Sequence, residues 1–215
     1  MNLSKIKIPK QIIYIYTFAV IINILRVFLF DSTAFLYILW NIILATIPFL
    51  ISSILLIYTR KENMIKPFFI IGFILWLLFL PNAPYVITDF IHLGRIHSVP
   101  VMFDIFVLFS SALVSLLMGL YSLLHMERML LLKYSKKITN ILIVIIILIT
   151  SFGIYLGRFL RFNSWDIFTS QSSLLSSIWK IFTQSNNYVN VYGYTVLFFA
   201  FIYISYISFK NSKLD

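Results

Sequence analysis

Two carboxylates and an imidazole near the middle of an otherwise apolar chain could do acid-base chemistry. Asp89 and His92 stand three residues apart in the stretch LPNAPYVITDFIHL, and Arg95 follows at the same spacing. Asp104 comes nine residues after that. Residues three apart share one face of a helix, where a carboxylate and an imidazole could transfer protons or hold a divalent ion. Asp89, His92 and Asp104 are therefore the candidate catalytic set if the protein is an enzyme. This spacing often arises without a metal, and we predict no metal site and no cofactor.

A second group of polar residues could bind an anion. Arg158 and Arg161 lie in the stretch YLGRFLRFNSWD, and Arg26 lies near the end of an earlier apolar run. A guanidinium group binds a carboxylate or a phosphate through paired hydrogen bonds. The predicted ligand-binding residues are these three arginines together with Asn82 and Asp166.

The composition of the chain indicates an integral membrane protein. Apolar residues make up 61% of the 215-residue chain and charged residues only 11%, far from the balance of a soluble domain. A helix needs about 20 apolar residues to cross a hydrocarbon core of about 30 Å. Six runs qualify, at roughly 11–30, 34–58, 68–93, 101–126, 138–157 and 191–209. We predict an all-α polytopic membrane bundle of about six transmembrane spans that forms a single domain over residues 1–215. The absence of cysteine excludes disulfides and thiolate metal sites.

The third of these spans is interrupted at 81–84. Its first part, 68–80, has only 13 residues and is too short to cross. Pro81 and Pro84 cannot donate the hydrogen bonds that a continuing helix needs, so we expect the chain to unwind and Asn82 to cap a new helix. Backbone freed inside a membrane is tolerated only where protein or a water-filled cavity satisfies it. The break therefore indicates either a ligand site or a simple exit turn.

The fourth span carries an aspartate on a face of small residues. That face, with spacings of three and four, contains Leu108, Ser111, Ser115, Gly119 and Ser122. Small residues let another helix approach closely, so Asp104 is predicted to point into the bundle. A carboxylate inside a membrane needs a partner. We expect Arg161 of the fifth span, with Asp89 or Arg158 as the alternative member of the pair.

The chain after the fifth span is predicted to form a cap and then an interfacial helix. Asn163 and Asp166 have the spacing of a helix cap, with Asn163 accepting from the first turn. Between Ser164 and Gln184 one side is polar and too hydrophilic to span the membrane. The other side carries Phe168, Leu174, Leu175, Ile178, Trp179 and Phe182. This pattern is typical of a helix that lies on the outer leaflet, where it would cover the polar cluster.

The distribution of basic residues sets the predicted orientation. With six spans, 12 of the 17 lysines and arginines fall on the side that holds both termini, and the positive-inside rule places that side in the cytoplasm. The net charge of +10 is thereby explained without nucleic acid as a partner. The expected partners are membrane lipids, whose anionic head groups such a surface attracts, and a small anionic molecule or lipid head group on the other side.

Two blocks of this sequence resemble a known family. LPNAPYVITDFIHL with the following VPVMFD, and then YLGRFLRFNSWD, look like the signature blocks of the bacterial membrane-protein family called domain of unknown function 1361. The similarity covers nearly the whole chain and departs mildly at Phe162, where Trp is more often expected. It implies a multi-pass protein of the bacterial cell membrane with an outward-facing polar cluster, and it assigns no activity and no catalytic residue. The blocks include Pro81, Asn82, Pro84, Tyr85, Thr88, Asp89, His92, Asp104, Gly157, Arg158, Arg161, Asn163, Trp165 and Asp166.

Three functions are consistent with these residues. The favoured one is binding or transport of a small anionic or lipid-head-group ligand held by the arginines. The first alternative is a membrane-embedded enzyme that acts on a lipid-linked or cell-envelope substrate through the Asp and His residues. The second is an accessory or structural subunit whose polar cluster only holds helices together. The chain has no glycine-rich phosphate loop, serine nucleophile motif or HExxH, so an energy-coupled pump or a familiar hydrolase is not expected.

Overall fold

The protein is a bundle of long helices. A computed structural model describes residues 10–60, 66–94, 99–183 and 188–212. The α-helices are α1 Lys10–Phe30, α2 Leu36–Arg60, α3 Lys66–Phe79, α4 Asn82–Tyr85, α5 Val101–Leu131, α6 Lys136–Phe159, α7 Asp166–Thr169, α8 Gln171–Thr183 and α9 Tyr188–Asn211, with a 3-10 helix at Val86–His92. The described residues contain no strand. The predicted all-helical class is confirmed; Arg95 lies outside the described residues.

Six of these segments are long and apolar enough to cross a membrane. They are α1, α2, α5, α6, most of α9, and the stretch Pro67–His92 that runs through α3, α4 and the 3-10 helix. The predicted polytopic bundle is thus confirmed at the level of helix number, length and composition. The long helices bury one side against each other and expose apolar side chains such as Phe28, Ile74 and Leu197 on the other, as expected when lipid surrounds a bundle.

Helix α5 is the centre of the bundle. It packs against α1, α2, α4, the 3-10 helix, α6 and α9. Its small residues Ser111, Ser115 and Ser122 are fully buried, so neighbouring helices approach it closely. The apolar core on one side of it includes Trp76, Leu123 and Ile147. The predicted inward face of this helix is therefore confirmed.

The bundle has two chemically different ends. We call the end where α1 finishes and α5 begins the cluster end, because Arg26 and Asp104 meet there. The opposite end, called the basic end, carries Lys10, Arg128, Lys133, Lys136 and Lys210 at the termini of α1, α5, α6 and α9. Lys210 pairs with Glu127 at that end.

The break in the third span is shorter than the sequence predicts. Helix α3 ends at Phe79, only Leu80 and Pro81 form the turn, and α4 begins at Asn82. The expectation that Asn82 caps the new helix is wrong: Pro81 precedes the helix, and no side chain caps it. The amide of Asn82 donates instead to the carbonyl of Phe79 at 3.0 Å and to Oγ of Ser164 at 2.9 Å.

Glycines on two neighbouring helices receive the broken segment. A Cβ built on Gly153 of α6 would lie 2.7 Å from Cγ of Pro81, and one built on Gly119 of α5 would lie 2.8 Å from Cβ of Ala83. Both distances are too short for any side chain at these glycines. The break therefore fits against α5 and α6 because those helices lack a side chain where it passes.

The segment after α6 turns sharply before it covers the cluster end. Arg161 has a left-handed backbone with φ of 60°, and the amide of Phe162 bonds to the carbonyl of Leu156 at 3.2 Å. Two short helices, α7 and α8, then replace the single interfacial helix that the sequence predicts. On α8, Leu174 is buried, whereas Trp179 of the same predicted apolar side is exposed. The placement of this segment on the outer leaflet stays a prediction.

Candidate functional site

The 3-10 helix presents Asp89 to an arginine of α6. Oδ1 of Asp89 accepts from Nη1 of Arg158 at 3.2 Å, and its Oδ2 accepts from Nδ2 of Asn41 at 2.9 Å. Asp89 is 1% exposed and Arg158 is 14% exposed. Both oxygens of this buried carboxylate are thus satisfied by donors from two different helices, α2 and α6.

Arg158 holds several more groups of the broken segment. Its Nη2 donates to the carbonyl of Thr88 at 2.8 Å and lies 3.2 Å from Nε2 of His92. Its Nη1 donates to the hydroxyl of Tyr85 at 3.4 Å. A 3-10 helix has three residues per turn, so Asp89 and His92 are aligned along one side and face the same guanidinium. Asp89 and His92 thus share one side of their helix, as their spacing predicts, and both contact Arg158.

Asp104 pairs with the first span and not with the fifth. Its Oδ1 lies 2.7 Å from Nε of Arg26, and each side chain is 1% exposed. The predicted pair of Asp104 with Arg161 is wrong, and neither Asp89 nor Arg158 replaces a member of it. The physical reason is that α1 packs directly against α5, so the inward-facing Arg26 reaches Asp104. Arg161 lies beyond the last turn of α6, has a left-handed backbone and is exposed.

Additional contacts fix Arg26 in place. Its Nη1 donates to the carbonyl of Ser32 at 3.3 Å and to Oγ of the same residue at 3.4 Å. Its guanidinium carbon lies 4.1 Å from the centre of the Phe35 ring. Within the described part of the chain, Nη2 of Arg26 and Oδ2 of Asp104 have no hydrogen-bond partner. This buried pair therefore links α1 to α5.

The predicted cap after α6 is present in altered form. Oδ2 of Asp166 accepts from the backbone amide of Asn163 at 2.6 Å, as a residue in the third position should. Asn163 does not accept from the first turn; its side-chain amide instead lies 3.5 Å from the same carboxylate oxygen as a donor. Asp166 is thus used locally, and its predicted ligand-binding role stays a prediction.

A cavity of about 300 Å³ lies between α2, α3, α4 and α6 beside the Asp89 pair. Five residues of the stretch 162–174 line it at the cluster end. Its apolar wall is formed by Trp40, Leu44, Leu77, Leu78, Pro81, Ile149, Phe152, Gly153, Leu156, Gly157, Phe162, Ile167 and Leu174. Its polar wall is formed by Asn41, Asn82, Tyr85, Asn163 and Ser164. A cavity of this size is at the lower limit of the range typical of small-molecule sites.

The cavity and the Asp89 ion pair share two residues. Asn41 lines the cavity and donates to Asp89, and Tyr85 lines it and accepts from Arg158. Of the residues predicted to bind a ligand, only Asn82 is part of the wall. Arg158 reaches the wall through Tyr85, whereas Arg26 is occupied by Asp104.

The predicted catalytic set is divided between two places. Asp89 and His92 both contact Arg158, and Asp104 belongs to the α1–α5 pair. Among the described residues, no three His, Asp or Glu side chains converge as a metal site requires. Catalytic roles for these three residues are untested and stay predictions.

Sequence reasoning missed Asn41 and Ser164, which complete the site from α2 and from the loop before α7. A polar residue inside an apolar span is a recognised indication of function, and Asn41 stands in such a run, LYILWNIILA. That signal could have found it. Ser164 has no comparable signal, because its importance comes only from its contact with Asn82.

Comparison with known proteins identifies the family. A family model described as Protein of unknown function (DUF1361) matches residues 40–205, which is more than half of the chain. The chain therefore belongs to this family, as its sequence blocks predict. The matched region includes every residue that lines the cavity and excludes Arg26. No curated protein and no solved structure matches the chain.

Proposed function

We propose that this membrane protein binds one amphipathic ligand of the lipid class in the cavity between α2, α4 and α6. The head group would lie against the polar residues near the cluster end, and the apolar part would extend along α6. The observation that carries this proposal is the mixed composition of the cavity wall, which combines five polar residues with thirteen apolar ones. Transport of the same ligand is the further possibility that the sequence suggests.

The position of the wall residues along α6 supports this arrangement. Gly157 lies near the last turn of α6, close to Asn163 and Ser164 in the cavity wall. Ile149 lies eight residues earlier, about 12 Å deeper into the bundle at 1.5 Å per residue. The polar groups near the end of α6 would contact the head group of a lipid, and the apolar side chains deeper along α6 would contact its acyl chain.

An opening toward the membrane supports a ligand that enters from the bilayer. Trp40 and Ile149 line the cavity and are also 54% and 46% exposed. They belong to α2 and α6, and we infer from their exposure that the cavity opens between those two helices. Because both helices are long enough to cross the membrane, this opening would face lipid and not bulk water.

The charges around the cavity favour a lipid over a small anion. The predicted anion site depended on Arg158, Arg161 and Arg26. Arg158 is neutralised by Asp89 and Arg26 by Asp104, and Arg161 is exposed outside the wall. An anion bound at Arg158 or Arg26 would therefore have to displace a buried carboxylate from its arginine, at a cost of several kcal/mol.

We also propose that the protein lies in the bacterial cell membrane with both termini in the cytoplasm. The basic end supports this orientation, because lysines and arginines at the helix termini are concentrated there. In this orientation the cluster end and the polar part of the cavity face the outside of the cell.

One alternative has an observation in its favour. Asp89 is paired with Arg158 and Asp104 with Arg26. These pairs are consistent with a structural role for both aspartates, as expected of an accessory subunit whose polar groups only join helices. In that case the cavity is a packing gap without a ligand.

The experiment that separates these functions is native mass spectrometry of the protein released from detergent with added membrane lipids. Leu156→Trp fills the cavity from α6, and Leu148→Trp is its control, because Leu148 is exposed and lies outside the wall. We expect a bound lipid on the wild type and on Leu148→Trp, with at least a tenfold lower occupancy on Leu156→Trp. Equal occupancy on all three proteins would favour the accessory function.

A further inference from the structure

The hydrogen-bond groups left free in the cavity identify the kind of head group it takes. Asn82 donates its amide protons to the carbonyl of Phe79 and to Ser164, and its Oδ1 accepts from no donor in the described part of the chain. Asn41 uses its amide on Asp89, which also leaves Oδ1 without a donor among the described residues. The cavity wall therefore offers two amide oxygens to a ligand.

Two hydroxyl groups in the same wall have unused protons. The hydroxyl of Tyr85 accepts from Arg158, and Oγ of Ser164 accepts from Asn82. Neither hydroxyl donates to another group in the described part of the chain. The wall thus combines two free acceptors with two free donors.

No charged side chain is among the residues that line the cavity. A charged group brought into such a wall would lose its hydration without an opposite charge in return, which is strongly unfavourable. The guanidinium of Arg158, which contacts the wall residue Tyr85, is already shared with Asp89 and Thr88. A neutral group that both donates and accepts satisfies all four wall groups without this penalty.

The geometry points to a neutral, hydroxyl-bearing lipid as the ligand, with a monoacylglycerol as the simplest representative. This inference rests on the proposed function and narrows it. The two glycerol hydroxyls donate to Asn41 and Asn82 and accept from Tyr85 and Ser164. The acyl chain follows the apolar wall toward Ile149 and leaves through the opening beside Trp40.

Two probes with the same acyl chain test the inference directly. Oleoylglycerol carries only neutral hydroxyls, and oleoylglycerol phosphate adds a charge to the same molecule. Dissociation constants are measured for both with the full-length protein in a non-ionic detergent. We expect the neutral probe to bind at least ten times more tightly than the phosphate.

Tyr85→Phe removes one donor and keeps the ring. We expect it to weaken binding of oleoylglycerol about fivefold, the effect of losing one neutral hydrogen bond. Tyr58→Phe is the matched control, because Tyr58 is exposed and lies outside the wall; it should leave binding unchanged. A thermal melt of each variant without ligand identifies any loss of folding.

The possible results separate this inference from the proposed function. If oleoylglycerol phosphate binds as tightly as oleoylglycerol or more tightly, and Leu156→Trp blocks this binding, the preference for a neutral head group is overturned. The proposal that the cavity binds a lipid is then still supported. An unchanged affinity in Tyr85→Phe also overturns the inference. Failure of both probes to bind, or binding that Leu156→Trp does not reduce, overturns both.

Discussion

Arg26 on α1 and Asp104 on α5 form an ion pair with 2.7 Å between Nε and Oδ1, and each side chain is 1% exposed. Nothing else on α1 contacts α5 through a charged group in the described chain. Breaking a buried pair leaves the remaining charge without compensation, whereas removing both charges together costs less. The pair should therefore behave as one unit when it is mutated.

We expect Asp104→Asn and Arg26→Gln each to lower the free energy of unfolding by about 3–5 kcal/mol. The double variant should lose less than the sum of the two, because its charges are removed together. Unfolding in mixed detergent micelles, followed by circular dichroism, measures all three. Arg161→Gln is the control and should stay within about 0.5 kcal/mol of the wild type, since Arg161 is exposed. Strictly additive losses in the double variant would show that the two residues do not interact.

The guanidinium of Arg158 is predicted to resist replacement by lysine. It lies within 3.4 Å of Asp89, the Thr88 carbonyl, His92 and Tyr85. An ammonium group is a single point and cannot reach all of these positions at once. Arg158→Lys should therefore lower the free energy of unfolding by about 1–3 kcal/mol.

Arg161→Lys serves as the control for Arg158→Lys, because it makes the same change three residues away on an exposed side chain. It should leave the midpoint of the detergent unfolding curve unchanged. If Arg158→Lys unfolds at the same midpoint as Arg161→Lys, the contacts of Arg158 do not stabilise the broken segment.

The close approach of Gly119 to Ala83 can be tested with a pair of compensating substitutions. Gly119→Ala places a methyl group 2.8 Å from Cβ of Ala83, and we expect this overlap to cost about 1–3 kcal/mol. Adding Ala83→Gly removes the opposing methyl group and should recover most of the loss. Thermal unfolding in detergent measures both.

Gly193 on α9 is the matched control for Gly119, since nothing lies within 4 Å of the position of its Cβ. Gly193→Ala should be neutral or stabilising by up to about 1 kcal/mol, because alanine is the better helix former. A Gly119→Ala variant as stable as Gly193→Ala would contradict the close packing of the break against α5.

Much of the fold could be predicted from the sequence because the signals are local. Six apolar runs of sufficient length predict six helices, and paired prolines predict a break. The inward direction of Asp104 follows from the small residues on its own helical face. The spacing of Asp89 and His92 predicts that they share one side, and the 3-10 helix retains that relationship.

The partner of Asp104 could not be predicted from the sequence. The pattern on a helix indicates which face points into the bundle, but it does not indicate which helix packs against that face. Both Arg26 and the arginines of α6 were suitable by type, and only the packing of α1 on α5 decides between them. Arg161 was misplaced because its left-handed backbone, just after the end of α6, takes it off the helical face on which the prediction placed it. The cavity was missed for a similar reason: its wall is assembled from α2, α3, α4, α6 and a loop, which are distant in sequence.

The orientation in the membrane has a direct test, because the chain contains no cysteine. Thr33 and Lys133 are both exposed and lie at the cluster end and the basic end. In intact cells we expect Thr33→Cys to react with an impermeant maleimide and Lys133→Cys to react only after the membrane is opened. The reverse pattern would place the cluster end in the cytoplasm.

The central claim is that a lipid occupies the cavity, and photo-crosslinking measures this occupancy at the level of residues. Oleoylglycerol and oleoylglycerol phosphate, each with a diazirine in the acyl chain, are incorporated into vesicles that contain the protein. We expect at least one probe to label the α6 stretch 149–157 and the α2 stretch 40–44. An excess of the unlabelled lipid should compete with this labelling, Leu156→Trp should abolish it, and Leu148→Trp should keep it. Labelling confined to lipid-exposed residues such as Ile145 and Leu197, unaffected by competitor and by Leu156→Trp, would contradict the claim.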